Sequence, residues 1–186
     1  FDRGLAALQE AVGDSLCVMV ENTAIFRSSD RAHPYVWPAL VAGFAEERGL
    51  GMTFDTAHAG TTGLPLLEVF ENVADAVQHV HLSDIKAPPC ILDRPSLDTY
   101  VKHHQLPGEG DLPLAAFLED LVARGYAGAV TLEISPVALR AWNPFQPLPR
   151  LRAAVQDVRG MVQHARRRSG TLPDLRPAPE RMLQWQ

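Results

Sequence analysis

Four short apolar segments of the chain each end in a side chain that can bind a metal ion or transfer a proton. The segments are LCVMVE, GLGMTFD, AVQHVH and GAVTLE, and their last residues are Glu21, Asp55, His81 and Glu133. A carboxylate at the end of a buried strand is costly to desolvate unless another group compensates for its charge. Three carboxylates and one imidazole form a mainly oxygen site that suits a divalent ion such as Mn²⁺, Mg²⁺, Co²⁺ or Zn²⁺. We therefore predict a metal site built from these four side chains.

The segments between the apolar runs have helical spacing. It predicts helices over residues 1–12, 38–48, 64–76, 113–124 and 148–168. Strands that alternate with helices indicate an α/β fold with four parallel strands and right-handed crossovers. Functional residues of such sheets collect at the carboxyl ends of the strands, where all four predicted ligands lie. Two long irregular segments, 87–110 and 135–147, follow strand ends and are expected to cover the same face.

Three local motifs add side chains to this face of the sheet. DTAH places His58 three residues after Asp55, so that both can face one site as the chain leaves the strand. HLSD gives His81 a neighbouring carboxylate, Asp84, that can orient its imidazole ring. The glycine-containing turn HHQLPGEGD is expected to bring three further side chains toward the site, those of His103, His104 and Glu109.

The composition is that of an ordinary globular protein. The chain has 186 residues, of which 46% are hydrophobic and 21% charged, enough for one domain with a sizeable core. A formal net charge of −5 offers no general attraction to nucleic acid or to an anionic membrane. No apolar run is long enough to span a bilayer, and two cysteines do not make a disulfide framework. We expect a cytoplasmic protein with one domain over 1–168 and a Pro-rich tail over 169–186.

These motifs together resemble the xylose isomerase-like TIM barrel superfamily, which contains sugar (phosphate) isomerases and epimerases and also endonuclease IV. The matching stretches are VENTA, FDTAH, HVHLSD, PGEGD and GYAGAVTLEIS. The resemblance implies that the four strands are the fifth to eighth of a (β/α)8 barrel, so that the chain is the C-terminal half of a TIM barrel. It implies that Glu21, Asp55, His81 and Glu133 are the metal ligands, and that His58 contacts the substrate or a second metal.

The resemblance favours isomerisation or epimerisation of a small-molecule sugar or polyol. Glu21 and Glu133 are then expected to flank the reacting carbon and to exchange its proton as base and acid. They can instead serve only as ligands, with another group moving the proton. His58, His103 and Lys86 are the candidate substrate-binding residues, although a solvated loop lysine is the favoured interpretation of Lys86.

Two alternatives stay open. An endonuclease IV-like phosphodiesterase acting at abasic DNA fits ENTA, DTAH and the HH…GEG stretch, but its trinuclear site needs ligands from the first barrel half. It also needs an Asp two residues before a histidine, where this chain has Val101 before His103. The short interval between Asp55 and His81 resembles the isomerases, and the acidic net charge argues against a nucleic-acid partner. The other alternative is a non-catalytic half-barrel that binds a metal or a partner.

Four strands cannot close a barrel. The predicted sheet therefore has two open edges, which invite pairing with further strands. We expect either that the chain belongs to a longer protein that supplies the N-terminal half, or that it forms a homo-oligomer.

Overall fold

The computed structural model describes residues 2–86 and 101–170. Its centre is one sheet of four parallel strands in the order β1-β2-β3-β4. The strands are β1 (Met19–Glu21), β2 (Gly51–Asp55), β3 (Val77–Leu82) and β4 (Ala129–Leu132). The helices are α1 (Asp2–Val12), α2 (Pro38–Glu47), α3 (Thr56–Gly60), α4 (Leu66–Glu71), α5 (Leu114–Ala123) and α6 (Pro147–Arg168). This is the predicted α/β fold, half of a TIM barrel.

An aromatic cluster holds the helices against the sheet. Phe54 of β2, Phe70 of α4 and Phe117 of α5 are all fully buried. Their ring centroids lie 5.3 Å (Phe54–Phe70), 5.8 Å (Phe54–Phe117) and 4.8 Å (Phe70–Phe117) apart. Burial of each ring stabilises the fold by about 1.5–3 kcal/mol. Because Phe54 directly precedes Asp55, this cluster also fixes the end of the strand that carries a predicted ligand.

The region predicted as one helix over 64–76 contains a shorter helix. α4 ends at Glu71, and a 3₁₀ turn follows at Ala74–Ala76. The side chain of Asn72 donates a hydrogen bond to the carbonyl of Glu68 at 2.8 Å. Asparagine competes in this way for backbone groups, which explains why the helix does not continue.

Helix α3 was not predicted from the spacing of apolar residues. It begins directly after β2, and the carboxylate of Asp55 accepts a hydrogen bond from the backbone N–H of His58 at 2.7 Å. This is the capping bond that an aspartate makes at a helix N-terminus. The short helix orients His58 relative to Asp55, as the DTAH motif predicted.

Part of the long segment predicted over 87–110 and most of the predicted tail over 169–186 lie outside the described residues. Residues 101–112 return across the carboxyl end of the sheet, where Gln105 forms an antiparallel bridge with Asp84. Within the described ranges, no helix combines the length and apolar character needed to cross a bilayer. The cytoplasmic location stays a prediction.

Candidate metal centre

The four predicted ligands meet at the carboxyl end of the sheet. Glu21, Asp55, His81 and Glu133 each offer one ligand atom, and these atoms all lie within 4.8 Å of one another. Nδ1 of His81 is 2.8 Å from Oε2 of Glu133, 3.3 Å from Oε1 of Glu21 and 3.9 Å from Oδ2 of Asp55. Three carboxylates therefore surround one imidazole nitrogen, in the donor set that the sequence predicted.

The register of the strands places these side chains on one face. Asp55 lies opposite His81, while Glu21 lies opposite Thr53, two residues before Asp55. His81 in turn lies opposite Thr131, two residues before Glu133. Since side chains alternate between the faces of a strand, offsets of zero or two residues keep all four ligands on the same side.

Asp55 is the most deeply buried ligand. Its side chain is fully buried, and burial raises the pKa of its carboxyl group. One carboxylate oxygen caps α3, whereas the other, Oδ2, has no hydrogen-bond partner among the described residues. A buried carboxylate oxygen without a partner is costly. Because the four predicted ligands each offer an atom within 4.8 Å of the others, a divalent cation fits this site well.

Asn22 fixes Asp55 through its backbone. The fully buried side-chain amide of Asn22 donates to the carbonyl of Asp55 at 3.1 Å and accepts from its N–H at 2.9 Å. A side-chain amide offers the same donor and acceptor as a peptide group. Asn22 thus extends the pairing of β1 with β2 by one residue beyond Glu21. Sequence reasoning missed this role, although an amide directly after a predicted ligand was its visible signal.

Thr56 connects the ends of the next pair of strands, β2 and β3, through its side chain. Its hydroxyl donates to the carbonyl of Ser83 at 2.7 Å and accepts from the N–H of Ser83 at 3.0 Å. Both residues are fully buried. The ends of β2 and β3 are thereby held together just beyond Asp55 and His81.

His58 lies at the edge of the four-ligand site. Its Nδ1 is 2.8 Å from the carbonyl oxygen of Asn22 and 3.3 Å from Oε1 of Glu21. Burial lowers the pKa of His58, but the hydrogen bond to Glu21 and the charge of Asp55 outweigh it and raise the pKa to about 9. For Glu21, burial raises the pKa, but the hydrogen bond and charge of His58 and His81 bring it below its usual value. His58 is therefore a protonated partner of Glu21 at neutral pH.

A second cluster consists of three imidazoles. His58, His103 and His104 each offer a ligand atom, and these atoms lie within 4.8 Å of one another. The ring centroid of His103 is 5.5 Å from that of His58 and 4.5 Å from that of His104. Nδ1 of His104 is 3.0 Å from the hydroxyl of Ser83. The segment predicted to approach the site thus brings its two histidines beside His58.

His103 is buried without a polar partner at one ring nitrogen. It is 5% exposed, and its Nε2 has no hydrogen-bond partner among the described residues. Burial, together with the positive charges of His104 and His58, lowers the pKa of His103 to about 3. His103 is therefore neutral at physiological pH.

The HLSD motif suggested that Asp84 orients the imidazole ring of His81, and this prediction is wrong. Its fully buried carboxylate accepts the backbone N–H groups of Gly108 at 3.0 Å, Gly110 at 3.1 Å and Leu112 at 3.0 Å. A fourth bond comes from the N–H of Ile85 at 2.8 Å. Asp84 instead holds the PGEGD turn against the end of β3.

Two other predicted residues, Glu109 and Lys86, have their observed contacts outside the group of four predicted ligands. Glu109 pairs with Arg150 of α6 rather than with the four ligands. Lys86 is exposed, and its backbone N–H donates to the carbonyl of Lys102 at 3.0 Å. Within residues 2–86 and 101–170, no hydrogen bond or ion pair joins its side chain to the site, so that substrate contact by Lys86 stays a prediction.

The fold agrees with the family comparison. The model of the xylose isomerase-like TIM barrel family matches residues 5–161, and the chain belongs to this family.

Relatives with assigned names include sugar epimerases. The chain is 28% identical over 95 residues to the fructoselysine 3-epimerase of Escherichia coli O157:H7, which covers 50% of this chain and 30% of that protein. An uncharacterized protein of Methanocaldococcus jannaschii is 31% identical over 90 residues, covering 47% of this chain and 27% of that one. The aligned part is thus less than a third of these curated relatives.

Two solved structures share the fold. A D-tagatose 3-epimerase-like protein aligns with a TM-score of 0.58 at 22% identity, covering 86% of this chain and 53% of that one. The apo form of the 3-keto-D-glucoside 4-epimerase of E. coli aligns with a TM-score of 0.61 at 18% identity, covering 85% and 51%. The chain therefore spans about half the length of each.

Proposed function

We propose that this chain carries the metal-binding half of a metal-dependent isomerase or epimerase acting on a sugar, sugar phosphate or related polyol. The observation that carries the proposal is the convergence of Glu21, Asp55, His81 and Glu133 around one point, with a buried oxygen of Asp55 left without a partner. The family, and the epimerase names among its members, support the class of reaction.

The four side chains would hold one divalent cation. Bound there, the cation would polarise a carbonyl and an adjacent hydroxyl of the substrate. The mainly oxygen donor set suits Mn²⁺ or Mg²⁺, and the imidazole also allows Co²⁺ or Zn²⁺. Asn22 and Thr56 would keep the strand ends, and so the ligands, at fixed separations.

Glu21 and Glu133 are the proposed proton-transfer groups. Their side chains are 33% and 46% exposed and lie on either side of His81, so both can be reached from the open face. One carboxylate removes the proton from the substrate carbon, which gives a cis-enediolate, and the other returns a proton. His58 and His103 would bind substrate hydroxyls beside them.

Metal content tests the site directly. We expect His81→Ala to lower Mn²⁺ affinity at least tenfold, because it removes one of four ligands. His79 lies on the same strand face and bonds the hydroxyl of Thr131 at 3.0 Å, so His79→Ala is the matched control and should bind normally. Calorimetry and elemental analysis give the answer, and equal binding by both variants would remove His81 from the site.

Proton exchange tests the chemistry in a protein that contains the complete barrel. Glu133→Gln keeps the shape and one acceptor oxygen but loses basicity, so we expect no exchange of carbon-bound protons while most metal binding remains. The loss should fall on turnover rather than on substrate affinity. Solvent deuterium incorporation into candidate ketoses is the measurement. If the wild type binds metal but exchanges no carbon-bound proton in any sugar or polyol tested, the non-catalytic alternative is favoured.

The three-imidazole cluster supports the phosphodiesterase as second candidate. A nitrogen-rich group beside an oxygen-rich one can hold a further cation, as a multinuclear hydrolase requires. Zn²⁺ stoichiometry and nicking of abasic DNA separate the two candidates. Two or more bound ions together with nicking would favour the phosphodiesterase, whereas one ion with proton exchange would favour the epimerase.

A further inference from the structure

Two segments cross the carboxyl end of the sheet and are joined to each other. The first, residues 101–112, carries His103 and His104. The second begins directly after β4 at Glu133 and includes Ser135. The N–H of Ser135 donates to the carbonyl of His104 at 2.9 Å, which joins the two segments two residues after Glu133.

Arg150, in the first turns of α6, binds both segments at once. Its Nη2 donates to the two carboxylate oxygens of Glu109 at 2.7 Å and 2.8 Å. Its Nε donates to the carbonyl of Ala138 at 2.9 Å. The side chain is only 18% exposed. The side chain of Glu109 is 39% exposed, and the charge-assisted pair is stronger than a hydrogen bond between neutral groups.

The contact at Ala138 leads back to the metal site. The hydroxyl of Ser135 accepts the N–H of Ala138 at 3.1 Å, and the carbonyl of Ser135 accepts the N–H of Leu139 at 3.1 Å. Residues 135–139 therefore form a turn that is closed by two hydrogen bonds. Glu133 lies two residues before this turn. Its backbone N–H donates to the carbonyl of Leu82 over a long distance of 3.4 Å, so the pairing of β4 with β3 holds Glu133 only weakly.

We propose that Arg150 is a positioning residue of the metal centre, which fixes Glu133 and the His103–His104 pair relative to each other by bridging Glu109 and Ala138. This inference rests on the proposed metal site. Asp84 accepts backbone hydrogen bonds from Gly108 and Gly110 of the PGEGD turn and from Leu112 directly after it, and Arg150 holds the same turn through Glu109. The turn is thereby held by both residues.

Arg168 provides a matched control on the same helix. It also donates to both oxygens of a glutamate, Glu119, at 3.0 Å and 3.3 Å. Its side chain is 66% exposed, and the pair joins only α6 to α5. Arg168→Gln removes an arginine–glutamate pair without touching either segment over the site.

The first test is Mn²⁺ affinity of the 186-residue chain by calorimetry. Arg150→Gln should weaken binding about tenfold, the size of effect seen when groups that orient metal ligands are removed. Glu109→Gln should weaken it less, and the double variant should be no weaker than Arg150→Gln, because both act through one contact. Arg168→Gln should bind as the wild type does. Affinity within twofold of wild type for Arg150→Gln, or equal losses for Arg168→Gln, would overturn the proposal.

The second test does not depend on metal. The N–H of Ser135 should exchange slowly with solvent in the wild type and faster in Arg150→Gln, but not in Arg168→Gln. Arg150→Lys serves if the glutamine variant folds poorly, since lysine can reach Glu109 but lacks the planar fork for both partners. Unchanged Ser135 exchange would refute the positioning role even if metal binds. A wild type that binds no Mn²⁺ but shows the exchange effect would overturn the metal site alone.

Discussion

At the scale of single residues, two side chains that bond backbone groups as a peptide would keep the predicted ligands in place. Glu21, Asp55, His81 and Glu133 could be predicted because each ends an apolar run and has a chemically distinctive side chain. Asn22 and Thr56 could not, because their partners are backbone atoms at the ends of neighbouring strands. Such pairing depends on register, which a single sequence shows only through alternation.

Removal of the Asn22 amide should cost far more stability than removal of an exposed one. In Asn22→Ala the buried N–H and carbonyl of Asp55 each lose their partner, at a cost of about 1–3 kcal/mol per group. Asn72→Ala removes an exposed side-chain bond to Glu68 and should cost less than about 1 kcal/mol. Urea unfolding of both variants in the presence of a chelator measures the difference. Equal costs would show that Asn22 does not support Asp55.

His103 should make the fold sensitive to acid. Its folded-state pKa of about 3 lies below the ordinary value of 6.5, so its contribution to stability is complete above pH 6.5. As the pH falls from 6.5 toward 3, the imidazole of His103 binds a proton in the unfolded chain but not in the folded chain. The free energy of unfolding should then fall by up to about 1.4 kcal/mol per pH unit from this group.

His103→Phe tests this pH dependence, since it keeps an aromatic ring beside Phe26 but has no titrating nitrogen. The variant should show a flatter decline of stability between pH 6.5 and 3 than the wild type, in the presence of a chelator. Parallel curves would assign the acid sensitivity to other groups.

At the scale of elements, the order of strands and helices follows from the sequence, and so do the bounds of α2, α5 and α6 to within one residue. The apolar runs and the glycine and proline signals predicted all four strands and every α-helix of the described residues except α3, although α4 is shorter than predicted. The short helix α3 was missed because its start is a capping bond by Asp55, a residue already interpreted as a ligand. The position of the PGEGD turn could not be predicted either, because it is fixed by backbone N–H groups that donate to the buried carboxylate of Asp84.

Gly110 of this turn should tolerate no side chain. A Cβ there would collide with Oδ1 of Asp84 and with the carbonyl oxygen of Ile85. Gly110→Ala should therefore push the turn off Asp84 and lower stability by roughly 2 kcal/mol or more. Gly160→Ala in the middle of α6 meets nothing within 4 Å and should instead stabilise by about 0.5–1 kcal/mol. Thermal unfolding of the two variants should shift in opposite directions.

At the scale of the whole molecule, the sheet has two outer strands. β1 pairs with β2 and β4 pairs with β3, and the described residues supply no further strand beyond either. Three of the four residues of β4 are exposed, and Val130 is 38% exposed although it sits in a strand. The chain covers 53% and 51% of two solved structures with the same fold. The exposed edges are therefore the surfaces at which further strands would complete the barrel.

We accordingly expect the isolated 186-residue chain to associate. A parallel edge offers a row of unpaired backbone groups, and a partly exposed apolar strand strengthens the attraction to another copy. Val130→Lys places a charge on the β4 edge and should lower the mass seen by light scattering toward that of one chain. Val101→Lys is the matched control, because Val101 is 46% exposed but lies outside the sheet. If the wild type is a monodisperse monomer that unfolds cooperatively, the half-barrel is self-sufficient and its edges do not drive association. If both lysine variants reduce the mass equally, surface charge rather than edge pairing controls the assembly.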